Sequence, residues 1–258
     1  MHKTKPMLAV VAAVLWAGPG FAQLQDTWHF GVKPTENITT LEVNPTLTVI
    51  DNKEGISISG VTLKSYRVID ENFNWGAELP LLRFETPGHS VNGIGDISLS
   101  ATGVHKLHSG IVVGAKLETM LPTATKEALG TGKWVISPSV FAVINLPYQF
   151  YIHGEYKHYV SIAGDGGRST VNENNKTGIG RPRLTVGYTS PAQWYVLTTL
   201  YYYVDFENDL QHEFAPEAEI GTLVNEGTAF YANVSTHAGG NWKQKDWGVS
   251  IGFKLLYL

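Results

Sequence analysis

Seven acids (Glu42, Glu78, Asp96, Glu118, Glu155, Glu217 and Glu219) stand in stretches where polar and apolar residues alternate. So do seven bases: Lys64, Lys106, Lys116, Lys157, Arg181, Arg183 and Lys254. A set so balanced in sign differs from the one-sign rings of strongly ion-selective conduits. The chemistry open to it is electrostatic. Opposite charges on neighbouring strands can brace a wall by pairing, or the same groups can line a polar passage. Tyr151, Tyr159, Tyr201, Tyr203 and Tyr231 share the polar faces and add stacking surface, either as packing or for a flat solute.

Other candidate chemistry is thinner. His153 and His158 lie near Ser161, the types needed for nucleophilic hydrolysis. The two histidines are an odd five positions apart, so in an extended strand they face opposite sides, and no third ligand completes a metal site. Gly93-Ile94-Gly95 and Gly178-Ile179-Gly180 are fragments of phosphate-binding loops, but neither opens a helix. Gly130-Thr131-Gly132-Lys133 lacks the first glycine of a P-loop. With no cysteine, thiol nucleophiles, zinc-thiolate centres and disulfides are excluded. Neither enzymatic activity, a metal nor a cofactor is expected, with a lipid hydrolase kept as the alternative from another class.

What positions these residues is a series of period-two segments. In Trp247–Leu258, Val249, Ile251, Phe253, Leu255 and Tyr257 alternate with Gly248, Ser250, Gly252 and Lys254, a strand with one apolar and one small or polar face. Leu41/Val43 against Glu42, Leu99/Ala101 against Ser98/Ser100, and Ala115/Leu117 against Lys116/Glu118 repeat it. Further along, Ile152/Tyr156 oppose Glu155/Lys157, Leu184/Val186 oppose Arg181/Arg183, and Ala218/Ile220 oppose Glu217/Glu219. With weaker segments near 55–68, 73–84, 134–146 and 194–206, the pattern predicts about twelve strands. They run to about 10–14 residues, against the 5–6 usual in globular proteins and the 9–11 needed to cross a bilayer at a tilt. The fold class expected is all-β: an antiparallel transmembrane β-barrel, with a secreted β-sandwich as the alternative.

Connections sort into two kinds. Asp70–Asn72, His108–Gly110, Pro147–Gln149, Ser190–Gln193 and Asn225–Gly227 are tight. Alternating with them are Glu85–Gly95, Thr123–Lys133, Gly164–Gly178, Glu207–His212 and Gly239–Asp246, longer and polar, with Asp51–Gly55 short for its side. Short inner turns against longer outer loops is the barrel topology. Pro45, Pro80, Pro138, Pro182 and Pro216 fall inside strands, where bulges are expected, and Gly60 marks another where 55–68 changes phase.

The first 22 residues carry a basic start (Lys3, Lys5), an apolar run from Met7 to Ala17 and small residues before Gln23, the pattern of a cleaved secretory signal. Segment 23–39 is then a short periplasmic or luminal element, and 40–258 the barrel. Charged residues make up 16%, low beside the quarter usual in soluble proteins, and the net charge of −4 offers nothing to nucleic acid. Trp75, Trp134, Trp194, Trp242 and Trp247 lie near strand ends, where aromatic girdles sit.

Gly93-Ile94-Gly95-Asp96, Gly114-Ala115-Lys116-Leu117, Leu121-Pro122-Thr123 and Leu129-Gly130-Thr131-Gly132-Lys133-Trp134, in that order, resemble the bacterial outer-membrane barrel family of the MetA pathway of phenol degradation. The match spans about residues 93–146 and departs at Ala124, where the family often has Gly, and at the terminal Leu258 in place of Phe. The resemblance implies an outer-membrane channel or transporter for small, aromatic or hydrophobic solutes. Its implied partners are outer-membrane lipid, lipopolysaccharide and the barrel assembly machinery. A structural or adhesive surface barrel is a second alternative. The expected pore-lining residues are Glu42, Glu78, Asp96, Lys116, Glu118, Glu155, Lys157, Arg181, Arg183, Glu217, Glu219 and Lys254.

Overall fold

The computed structural model describes residues 39–51, 56–70, 72–108, 110–163, 178–206, 210–225, 228–236, 238–240 and 247–257. The signal segment, most of 23–39 and Trp242 lie outside these residues. The described chain forms strands β1 (Thr39–Asp51), β2 (Ile56–Asp70), β3 (Phe73–Thr86), β4 (His89–Ile94), β5 (Ile97–His108), β6 (Ile111–Leu121) and β7 (Trp134–Asn145). There follow β8 (Phe150–Ala163), β9 (Ile179–Thr189), β10 (Trp194–Asp205), β11 (Gln211–Asn225), β12 (Thr228–Thr236), β13 (Gly239–Gly240) and β14 (Trp247–Tyr257).

These make a closed antiparallel barrel of twelve strand positions, sealed by pairing of β1 with β14. Two positions are broken. β3 pairs with β5 over Phe73–Glu78 and with β4 over Leu81–Thr86, so β4 and β5 are one strand interrupted at Gly95-Asp96. β12 and β13 share the side of β11 in the same way. Closure matters because a barrel leaves no unpaired edge, the condition for a sheet in hydrocarbon.

Period two becomes inside against outside. Leu99, Leu117, Val140, Leu184, Leu200, Ile220, Val234 and Ile251 are exposed on the outer face, while Thr102, Ser139, Lys157, Thr185, Thr199 and Glu213 are buried on the inner one. This inverts a soluble core. Outward aromatic residues gather at both rims. Phe150, Tyr188 and Trp194 touch at the short-turn end, and Tyr202 packs on His212 and Phe214 at the other. From Trp194 to Tyr202 is eight steps, about 26 Å along the strand and about 20 Å once tilted, close to the height of an apolar membrane band.

On the inner face near the short turns, aromatic rings lie over glycines of the next strand. Tyr151 covers Gly187, Tyr195 covers Gly221, Tyr231 covers Gly252, Tyr66 covers Gly76 and Phe141 covers Gly114, each pair in direct cross-strand register. A Cβ on any of these glycines would fall between 1.8 and 2.5 Å from a ring carbon. Glycine is therefore required here for ring-to-backbone contact. It lets a large side chain lie flat on the wall instead of projecting across the lumen.

Three expectations are corrected. Within single strand pairs, register shifts occur near strand ends, at Val49/Asp51, Val68/Asp70, Lys106/His108, Trp134/Val135 and Leu223/Asn225. Opposite Pro80 and Pro216 the partner strand is broken and carries one extra residue, so an irregularity does fall at these two prolines. At Pro45, Pro138 and Pro182 the ladder skips pairs on one side and resumes in the same register, so the missing N–H costs a rung and leaves the pairing order intact. Pro80 and Pro216 lie beside the two breaks, and at Pro80 the Gly95 N–H donates to the proline carbonyl at 2.9 Å. Glu85–Gly95 is not a loop: β3 and β4 continue as a hairpin turning at Pro87-Gly88, where Gly88 has φ +80°. Gly60 makes no bulge either. It sits in register with Leu82, its Cβ position 2.2 Å from the Leu81 carbonyl oxygen, so glycine permits a close backbone approach. The phase change around it belongs to side chains.

Candidate functional site

The inner wall has two parts, a clamped loop at the long-connection mouth and a charged, tyrosine-lined face below it. The loop 122–133 joins β6 to β7 and includes a short 3-10 turn, Glu127–Leu129. Gly93 pairs with Leu82, whose strand parity matches the inward Gly76 and Glu78, and its Cβ position meets Thr125 and Leu129. The loop therefore rests on the inner side of β4. Leu129 and Thr131 are buried. Near the mouth the inward positions of β2 and β3 are the apolar Ile58, Leu82 and Phe84, with Leu82 beside Leu129 of this loop at the Gly95 break; lower down they are Lys64, Tyr66 and Glu78. The change of phase at Gly60 marks that boundary.

Asp96 holds the loop. Its carboxylate accepts from the Ala124 N–H at 3.1 Å, the Thr131 N–H at 2.6 Å and the Thr131 hydroxyl at 2.9 Å. The hydroxyls of Thr123 and Thr125 accept from the N–H groups of Ile97 and Ile94 at 2.9 and 3.0 Å. A Cβ on Gly130 would meet Asp96 itself. The residues behind the family resemblance thus converge on one structural device: a break between β4 and β5, and a loop folded into it.

Below the mouth, β6, β8 and β9 carry the ionic face. Glu118 takes Lys116 at 2.9 Å on one oxygen and Lys157 at 2.7 Å on the other. Lys157 is on β8 and Glu118 on β6, so the contact spans the whole of β7, about 9.6 Å between backbones. It is possible because β7 presents Ser137 and Ser139 there, small and buried beneath the bridge. Arg183 pairs with Glu155 and approaches the ring nitrogens of His153 at 3.2 and 3.4 Å. The Arg181 guanidinium lies over the rings of Tyr159 and Tyr201, 5.6 and 5.1 Å from their centroids, and Lys157 Nζ is 4.9 Å from the Tyr159 centroid. On the next strands the Tyr195 hydroxyl donates to Glu219 at 2.7 Å, and Thr185 and Thr199 share a hydrogen bond at 2.9 Å. Glu217 is in register with Thr199 and Ser235.

Lys116, Glu118, Glu155, Lys157, Arg181 and Arg183 are thereby brought together, with Glu217 and Glu219 beside them. Glu78 stands on the opposite wall, accepting from the Tyr66 hydroxyl at 2.8 Å. Lys254, Glu42, Lys64 and Glu78 are successive register partners across β14, β1, β2 and β3, a row of alternating sign; the side chains of Glu42 and Lys254 lie outside the described residues. Asp96 is engaged by the mouth loop. His153 is buried inside, whereas His158 contacts Tyr156 and Phe206 with the opposite parity, so the two do not form a base pair around Ser161. Thr131, Tyr195, Tyr66 and Ser139 were not foreseen as site residues; only their position on polar faces, or inside the Leu-Gly-Thr-Gly run, hinted at them.

No family model matches this chain, and no curated protein matches it. Solved structures do match in fold. The COG4313 outer membrane channel from Pseudomonas putida F1 aligns with a TM-score of 0.70 at 11% identity, over 91% of this chain and 100% of that one. A KdgM porin, solved in complex with disordered oligogalacturonate, aligns at 0.59 and 9% identity over 84% and 98%. The CymD monoaromatic hydrocarbon channel aligns at 0.51 and 10% identity over 93% and 95%. At such identities the likeness is one of fold.

Proposed function

We propose that this chain is an outer-membrane channel for small solutes, with aromatic or hydrophobic compounds as its substrate class. It acts without catalysis, by presenting a shaped and partly charged lumen. The observation that carries this reading is the inversion of polarity: a closed wall with aliphatic side chains outside between aromatic rims, and ion pairs, hydroxyls and tyrosines inside. Barrels named as channels and porins share the fold, among them one named for monoaromatic hydrocarbons, which supports the reading. The resemblance of residues 93–146 to the MetA-pathway family points the same way. In this account residues 1–22 direct export and are removed near Ala22, and the lumen-lining set is the one named above. The barrel assembly machinery inserts the chain among outer-membrane lipid and lipopolysaccharide.

Purified full-length protein in planar bilayers is expected to give stepwise currents, and proteoliposomes carrying it to swell in solutes of phenol size. Protein shown to be folded that gives neither current nor swelling would refute the channel.

A further inference from the structure

We infer that Arg181 and the tyrosines around it form a luminal subsite for a small aromatic carboxylate, a refinement that rests on the channel reading. The argument starts from charge. Across β6, β8 and β9, four cations (Lys116, Lys157, Arg181 and Arg183) share two carboxylates. Glu118 is used by both lysines and Glu155 by Arg183. Among the described residues Arg181 makes neither an ion pair nor a hydrogen bond, its Nε is buried without a partner, and the carboxylates of Glu155 and Glu217 act on it only through space. It also stands in direct backbone register with Lys157, a like charge, the arrangement that disfavours a sheet unless something negative relieves it. The remaining acids on that side are on β11, where both are engaged: Glu219 accepts from Tyr195, and Glu217 from Asn233.

Geometry then fixes the kind of anion. Tyr159 and Tyr201 hold the guanidinium plane by cation–π contact, which orients its terminal N–H donors and leaves them for a ligand. A planar fork of donors matches a carboxylate. Tyr203 continues the aromatic surface, its ring 6.1 Å from that of Tyr201 and packed against Val135, Tyr159 and Ile179. A carboxylate on Arg181 therefore places an attached ring beside a tyrosine shelf. Arg181 is two residues below the long-connection end of β9, close to the mouth, where an entering solute would first meet it.

Titration calorimetry of the full-length protein in detergent, with sodium benzoate, sodium acetate and benzyl alcohol as ligands, tests the subsite whether or not the protein conducts. Benzoate is expected to bind about tenfold tighter than acetate, and benzyl alcohol to give no saturable heat, because the charged hydrogen bond and the ring contact are both needed. Arg181→Gln, verified as folded by its heat-modifiable migration, is expected to weaken benzoate about tenfold or more. Arg181→Lys, which keeps the charge and loses the fork, should weaken it by a smaller factor. Equal binding of benzoate and benzyl alcohol by the wild type overturns the subsite even if the variants do not fold. So does unchanged benzoate affinity in either folded variant. Absence of current with benzoate binding intact would refute the channel and leave the site standing.

Discussion

Gly221→Val is expected to lower the stability of the folded barrel by about 3 kcal/mol, the scale of losing a packed aromatic side chain. A Cβ at 221 would sit 2.3 Å from two ring carbons of Tyr195, which has no exposed surface and donates to Glu219 at 2.7 Å. The ring must leave, giving up its contact with the backbone of β11 and its acceptor, and it can go only toward the lumen. Urea titration of the folded protein in micelles, read by the unboiled band, measures the loss. Two comparisons separate this from a general intolerance of valine. Gly154→Val adds a side chain where no heavy atom lies within 4 Å, and should shift stability by about 0.5 kcal/mol or less. In a Tyr195→Ala background, Gly221→Val should cost far less, because the ring it displaces is gone. Equal costs in both backgrounds would dissociate the glycine from the tyrosine.

Asp96→Ala should free the 122–133 loop from the mouth while leaving the barrel closed. The carboxylate accepts three hydrogen bonds from the loop, and charge-assisted bonds of this kind contribute about 1.5–3 kcal/mol each before partial re-solvation. A net loss of about 3 kcal/mol would raise the open population of the loop more than a hundredfold. Trypsin has Lys126 and Lys133 within that segment. Cleavage there is expected to accelerate by about that factor at low protease, with the unboiled migration of the uncleaved protein unchanged. Asp96→Asn, which keeps the shape and one acceptor oxygen, should fall between. A loop equally resistant in Asp96→Ala would mean that the apolar seat of Leu129 holds it and the carboxylate does not.

Gly221 and Asp96 mark the limit of what local pattern encodes. Glu118, Glu155, Lys157, Arg181 and Arg183 were placed on one face by period two alone, because in a strand side-chain direction follows from position and needs no knowledge of the partner. Strand number was legible for the same local reason. What was not legible depends on register. Lys157 reaches Glu118 across two strands because Ser137 and Ser139 between them are small, and no spacing within the sequence encodes that. The pairing of Gly221 with Tyr195 requires two strands to be aligned to the residue. Asp96 has the parity of a lumen residue, yet its carboxylate is taken by a loop that begins 26 residues later. The prolines misled in part: a rule about hydrogen bonds predicted bulges at all five, and at Pro45, Pro138 and Pro182 the barrel instead tolerates missing rungs because both neighbouring ladders are long.

The account stands on the chain being a closed barrel that spans the outer membrane. Fractionation of cells expressing it, followed by electrophoresis with and without boiling, tests that most directly. The protein is expected in the outer-membrane fraction, with an unboiled band that migrates faster than the boiled one and resists urea. A protein recovered in the soluble periplasm, with the same mobility before and after boiling, would contradict it.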